Sequence, residues 1–246
     1  MQTVARSISR TRSLAIVIGA FALTASFLAA PAAVAADVAD DSADTPQGAA
    51  VAETPPPVVT LPVDENGDVW TFSAERLSPE EEAALAAPSQ DGQVLPLAVP
   101  PNSPPASNWA PCGLFDGESK LVKEYTRLRA QPQMTGSVAA IRCGTEGYGY
   151  RHILKNHITD WETMAAPTGI NWRDMASWSI SWNLYDPDKV SYDSGRQTYC
   201  YSREVYLYRN GNLTYISTPR TALGTTAQRI ITAFPSSSQC PGTNVL

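Results

Sequence analysis

His152 and His157 are the only histidines in the 246-residue chain, five positions apart in Tyr148-Gly149-Tyr150-Arg151-His152-Ile153-Leu154-Lys155-Asn156-His157. Histidine is the one side chain whose unperturbed titration, at about pH 6.5, lets it give or take a proton near neutrality. Arg151 and Lys155, both of a type that binds phosphate, lie between or beside the pair. The four together suit general acid/base catalysis on an anionic substrate.

The element that must position them reads as a helix, because Leu154, Ile158 and Trp161 follow i, i+4, i+7. On a wheel of about 100° per residue, His157 flanks this apolar stripe while His152, Lys155 and Asn156 point away, and the two imidazoles diverge by about 140°. A shared active site therefore requires His152 at the helix entrance or in the preceding loop, beside Gly144, Gly147 and Gly149. Upstream, Leu121, Tyr125 and Leu128 recur at helical spacing and predict an amphipathic helix over 118–131. Downstream the period falls to 2, since Trp178, Ile180, Trp182 and Leu184 alternate with Ser179, Ser181 and Asn183, which predicts a half-buried strand. Tyr199–Arg209 and Leu213–Ile216 are rich in aromatic and β-branched residues and are joined by Asn210-Gly211, a hairpin signal. A last strand is expected over Arg229–Phe234. Helices followed by hairpin-connected strands imply an α+β fold with an antiparallel sheet. There is no internal repeat, P-loop or dinucleotide fingerprint.

Composition sets the compartment. Arg6, Arg10 and Arg12, an apolar run from Leu14 to Ala30 and the small-x-small sequence Ala33-Val34-Ala35 read as a signal peptide over 1–35. The mature protein is accordingly expected to be secreted, monomeric and without stable membrane association. Fourteen of the 20 prolines lie between Pro31 and Pro111, and 36–107 holds 13 acidic residues against one basic, Arg76. That stretch reads as a linker or pro-segment, although Val69-Trp70-Thr71-Phe72 suits a short strand and Ser78-Pro79-Glu80-Glu81-Glu82 a capped helical turn. Residues 108–246 carry 11 acidic and 14 basic residues, so the net charge of −6 conceals a mildly cationic domain. The opposite charges suggest that the acidic segment covers a cationic groove until proteolysis removes it.

All four cysteines, Cys112, Cys143, Cys200 and Cys240, fall in this domain, and with an export signal they are expected to form two disulfides. Three connectivities are open, of which we favour Cys112 with Cys143 and Cys200 with Cys240, each tying neighbouring elements. A zinc site is disfavoured because no Cys-x-x-Cys pair exists and the histidines are poorly spaced for it. No metal or cofactor is expected.

The Gly-Tyr-Gly-Tyr-Arg-His-Ile-Leu-Lys-Asn-His entry, the strands Tyr199-Cys200-Tyr201 and Glu204-Val205-Tyr206-Leu207, and the terminal Arg229-Ile230-Ile231-Thr232-Ala233-Phe234-Pro235 resemble the toxin ribonucleases of the barnase/EndoU/colicin/RelE fold. The resemblance spans roughly 144–235. It implies N-terminal helices packed on a curved antiparallel β-sheet, and metal-free RNA cleavage by one or two histidines, a basic residue and a late-strand Thr or Ser, types matched here by His152, His157, Lys155 and Thr232. Cleavage by the ribose 2′-hydroxyl to a 2′,3′-cyclic phosphate needs a base, an acid and cations. His157 is assigned as base, His152 as acid, Lys155 and Arg196 as charge stabilisers and Thr232 as donor to a phosphate oxygen. Arg151 is expected to bind substrate, and Tyr148, Tyr150 and Tyr199 to stack bases. RNA is the expected partner, with a cognate inhibitor protein alongside. The competing reading is a non-enzymatic, disulfide-stabilised extracellular binding domain whose histidines are core residues.

Overall fold

The computed structural model describes residues 57–86, 109–110, 112–128, 131–134 and 136–246. The expected signal peptide at 1–35 and positions 36–56 and 87–108 of the acidic segment lie outside the described residues. In chain order the elements are β1 (Val58–Thr60), β2 (Trp70–Ser73), α1 (Pro79–Ala86), β3 (Leu121–Thr126), β4 (Val138–Arg142), α2 (Gly149–Ala165), α3 (Trp172–Tyr185), β5 (Lys189–Asp193), β6 (Thr198–Ser202), β7 (Val205–Arg209), β8 (Asn212–Ser217), β9 (Arg220–Gly224) and β10 (Ile230–Phe234). The fold is α+β with antiparallel strands. In place of one curved sheet there are two four-stranded sheets, ordered β1-β2-β7-β8 and β10-β9-β6-β5, and a β3-β4 ribbon.

The split into two sheets occurs inside the segment 199–209. It breaks at Arg203, whose buried guanidinium donates to Ala74 O (2.9 Å), pairs with Asp186 Oδ2 (2.8 Å) and lies over the Trp182 ring. The Asn210-Gly211 turn forms as expected, with positive φ at both residues (49° and 73°), as a type I′ hairpin requires. Glycine is obligatory at 211, because a Cβ there would come within 2.1 Å of Glu82 O in α1. The strand and capped turn anticipated within the acidic segment both form. β2 pairs with β7, and Ser78 and Glu81 exchange the hydrogen bonds of a capping box. The described part of that segment is thus built onto the C-terminal hairpin rather than acting as a spacer.

Two expectations fail, for opposite reasons. Residues 121–126 form β3, not a helix. Leu121 and Leu128, two of the three residues of the presumed apolar stripe, are exposed, while Val122 and Tyr125 are buried. A bulge between Leu121 and Lys123 leaves Val122 and Tyr125 as the buried pair of β3, so the 121/125/128 spacing joins one buried residue to two exposed ones and marks no helical face. Residues 178–184, in contrast, belong to α3 instead of a strand. This helix lies against β3, β6, β9 and β10, and Trp178 packs edge-on against Phe72 of β2 at 4.9 Å. Ser179 and Asn183 are as buried as the tryptophans, and the Asn183 amide donates to Pro219 O and Thr221 Oγ1, both at 3.0 Å. A helix enclosed on all sides has no polar face, hence no 3.6-residue signature. Its start carries a readable cap, Asn171, whose side chain accepts from Arg173 N at 2.9 Å.

Both disulfides pair as favoured, Cys112 with Cys143 and Cys200 with Cys240. The first fastens the chain before β3 to the end of β4, immediately ahead of the glycine-rich entry to α2.

Candidate active site

The entry to α2 folds back on itself. Thr145 N donates to Tyr148 O at 3.0 Å, and a Cβ on Gly144 would lie 2.1 Å from that same carbonyl, so only glycine closes this loop. Closure brings the Glu146 carbonyl 2.7 Å from His152 Nδ1. A carbonyl only accepts, so Nδ1 carries the proton and Nε2 is left for other partners. The Asn156 amide donates to His152 O at 3.1 Å, one turn along.

His157 is fixed by a different set of contacts. Its Nδ1 lies 3.2 Å from Asp160 Oδ2, three residues ahead on the same helix, and its ring stacks on Phe234 of β10 at 4.8 Å with 20° between planes. The helix is held to that strand by the buried Trp161, whose indole N–H donates to Ala233 O at 3.0 Å. Here too Nδ1 is engaged and Nε2 is left over.

The two imidazole centroids are 5.6 Å apart, at 65°. The rings meet although their Cα atoms are well separated around the helix. His152 lies in the first turn, helical side chains lean toward the N-terminus, and the His157 ring therefore covers surface one turn back toward His152. Among the described residues no group of three or more His, Cys, Asp or Glu is arranged to hold a metal ion.

The remaining predicted residues divide sharply. Lys155 forms an ion pair with Glu146, both well exposed, an interaction weak enough to exchange partners. Thr232 Oγ1 is buried with no hydrogen-bond partner. Thr232 and Phe234 are two residues apart on the regular part of β10, so both point to the side on which His157 stacks. Arg151, expected on the substrate, is committed elsewhere: it donates to Gly144 O (2.9 Å), Gly113 O (2.9 Å) and Asp116 O (2.6 Å). Arg196 is displaced from the pair. It sits exposed in the β5-β6 turn, 3.7 Å from Asp193, on the opposite edge of a sheet whose width from β5 to β10 is about 14 Å at ~4.8 Å per strand.

Tyr150 and Tyr199 cannot stack bases, because they are 3% and 2% exposed. Tyr150 packs with Trp109 and Trp172 and accepts from Arg173, while Tyr199 packs on Tyr192 and donates to Gln133. Tyrosines that look available in a sequence are here core residues with a polar tip. Tyr148 stays partly exposed, with its hydroxyl 3.1 Å from Glu118 Oε2.

Two groups near the histidines are given no role by the sequence. Asp160 had a readable signal, a carboxylate at i+3 from His157 on a helix. Arg229 had none. Its guanidinium carbon lies 4.0 Å above the Tyr148 ring, one turn before His152, and its N–H groups have no acceptor among the described residues. Of the cations near the helix entrance it is the one for which no hydrogen-bond acceptor is found among the described residues.

No family model matches the chain, and no solved structure matches it. It is similar to the uncharacterized proteins MT0764 and Rv0739 of Mycobacterium tuberculosis (strains CDC 1551 / Oshkosh and ATCC 25618 / H37Rv). Identity to each is 29% over 150 residues, which is 57% of this chain and 53% of theirs. The chain thus spans about half the length of these curated relatives, whose names carry no activity.

Proposed function

We propose that the protein is a secreted endoribonuclease, of the toxin ribonuclease kind, which cleaves RNA without a metal ion. The observation that carries the reading is the pair of imidazoles 5.6 Å apart, each held through Nδ1 with Nε2 left for substrate. His157 Nε2 takes the proton of the ribose 2′-hydroxyl, the 2′-oxygen bonds to phosphorus, and Asp160 stabilises the imidazolium formed. His152, protonated on both nitrogens, gives its Nε2 proton to the departing 5′-oxygen as the phosphorus–oxygen bond breaks. The products are a 2′,3′-cyclic phosphate and a free 5′-hydroxyl.

The charge that develops on the phosphorane falls to Arg229 and Lys155, while the Thr232 hydroxyl is buried on β10 and away from substrate. Arg151 holds the loop ahead of the helix instead of touching substrate, and Arg196 takes no part. Positioned proton transfer is worth about 10² to 10⁴ in rate.

The purified chain should cut single-stranded RNA in excess EDTA and leave cyclic phosphate ends. His152→Ala and His157→Ala should each slow cleavage at least about a hundredfold with an unchanged far-UV spectrum. Cleavage that survives both changes, or RNA left intact by the wild-type chain, overturns the proposal.

A further inference from the structure

Lys120, Lys123, Lys155 and Lys189 are the lysines of the chain. Two of them are held charged by carboxylates, Lys120 by Asp116 and Lys155 by Glu146. Lys123 on β3 has no such partner among the described residues. Its Nζ meets the neutral hydroxyl of Ser177 on α3 at 2.7 Å and lies 5.2 Å from the centre of the Tyr125 ring. Ser177 and Tyr125 are buried and Lys123 is partly exposed, so the amine stands between the core and solvent. The hydrogen bonds beneath it run in one direction. The Trp109 indole N–H can only donate and gives its hydrogen to Tyr125 Oη, and the Tyr125 O–H in turn donates to Ser177 Oγ at 3.3 Å. The Ser177 hydrogen is then left for Lys123 Nζ, which accepts it only as the neutral amine.

We propose that the Lys123 amine is a nucleophile that forms a Schiff base with small, uncharged aldehydes, with Ser177 relaying protons. Nζ bonds to the carbonyl carbon while one N–H proton passes through Ser177 Oγ to the carbonyl oxygen, which gives a carbinolamine. The new hydroxyl then leaves as water with the second N–H proton, and the C=N bond forms. Desolvation disfavours the ammonium and pushes the Lys123 amine below the ordinary lysine range, against the pull of the Asp174 carboxylate on α3. A larger share is therefore neutral and nucleophilic at a given pH. The Tyr125 ring favours the cation only weakly at its distance, and across the ribbon β4 sets the apolar Ile141 opposite Lys123. Arg173, one turn back on α3, is engaged by the Tyr150 hydroxyl at 2.7 Å. The surroundings thus supply hydroxyls and apolar surface, which suit an uncharged carbonyl compound better than a carboxylate or phosphate. The proposal is independent of the ribonuclease reading.

The test treats the full chain with propanal and sodium cyanoborohydride, which traps each imine as a stable propylamine, and follows every lysine separately by mass spectrometry. At pH 7 Lys123 should be alkylated about tenfold faster than the exposed Lys155, the reverse of the order that accessibility alone gives. The rate at Lys123 should also level off at a lower pH than the rate at Lys155. Ser177→Ala should slow Lys123 by about tenfold or more and leave Lys120, Lys155 and Lys189 at their wild-type rates, which serves as the control for folding. Alkylation of Lys123 no faster than that of Lys155 across the pH range overturns the nucleophile, and this measurement needs no variant. A rate at Lys123 unchanged by Ser177→Ala overturns the relay.

Discussion

α2 and α3 are consecutive helices of 17 and 14 residues, and they are stabilised in different ways. α3 is enclosed between the sheets, with Met175, Ala176, Ile180 and Leu184 fully buried, and the Asn183 amide N–H groups find acceptors inside the core. α2 buries Ile153, Trp161 and Met164 on one side and presents His152, Lys155, Asn156, His157 and Asp160 on the other. Its entrance depends on a disulfide, a looped-back glycine turn and the Arg151 hydrogen bonds. A helix with a solvent face can carry acid and base groups in water. A helix without one mainly carries structure.

The largest expected effect sharpens this contrast at the α2 entrance. Cys112 and Cys143 are separated by 31 residues, and a cross-link over that span restricts the unfolded chain by about 3.7 kcal/mol. Cys112→Ala with Cys143→Ala should lower stability to urea by about that amount; a loss under about 1 kcal/mol would mean that burial, not the tether, fixes the entrance. Next comes Ile180→Ala in α3, where an enclosed site relaxes poorly and the cost should be about 3 kcal/mol. His152→Ala on α2, in contrast, should change stability by no more than about 0.5 kcal/mol while lowering the proposed RNA cleavage. A stability loss there comparable to that of Ile180→Ala would make His152 a structural residue and break the comparison.

A smaller effect is read with pH. Tyr125, whose hydroxyl is 3.3 Å from Ser177 Oγ of α3, is held protonated well above the ordinary tyrosine range, mainly by burial. Burial also pushes Tyr201 on β6 up to about 12. Unfolded tyrosine ionises near 10, so above that pH the unfolded chain binds fewer protons than the folded one, and stability falls. The contribution is complete below about pH 10 and is lost as pH rises toward 12. The unfolding midpoint should therefore drop across this window, and Tyr201→Phe should make the drop shallower. The smallest effect is expected at Arg196→Ala, exposed and across the sheet from the histidines, which should leave stability within about 0.5 kcal/mol and RNA cleavage at the wild-type rate. A large rate loss there would place the site elsewhere.

Legibility follows the same division. α2, the Asn210-Gly211 hairpin, the Ser78 capping box and β10 were readable because each rests on a local rule: one apolar face, two residues at positive φ, a reciprocal cap, a β-branched run. β3 and α3 were misread because the signal there is set by neighbours. On β3 the apolar residues at helical spacing are mostly the exposed ones, and on α3 complete enclosure let small polar residues alternate with tryptophans. The histidine cluster with Lys155 is visible from residue type and spacing, whereas Thr232 is pointed to only by the family resemblance. Tyr150 and Tyr199 were not excluded because burial is a property of the packed molecule.

The amino-acid order by itself determined which groups able to carry protons exist and that they are few. It also confined the cysteines to one region in an even number, and it set the turns. Only the tertiary structure decided that two imidazoles far apart around a helix would face each other, that Arg151 would serve the loop, and that Arg229, more than 70 positions along the chain, would arrive beside the helix entrance. The reason is physical. Propensities and caps act within a few residues and are written in the chain, whereas the direction of a side chain is fixed by what packs behind it, here β10 for His157 and the closed glycine loop for His152.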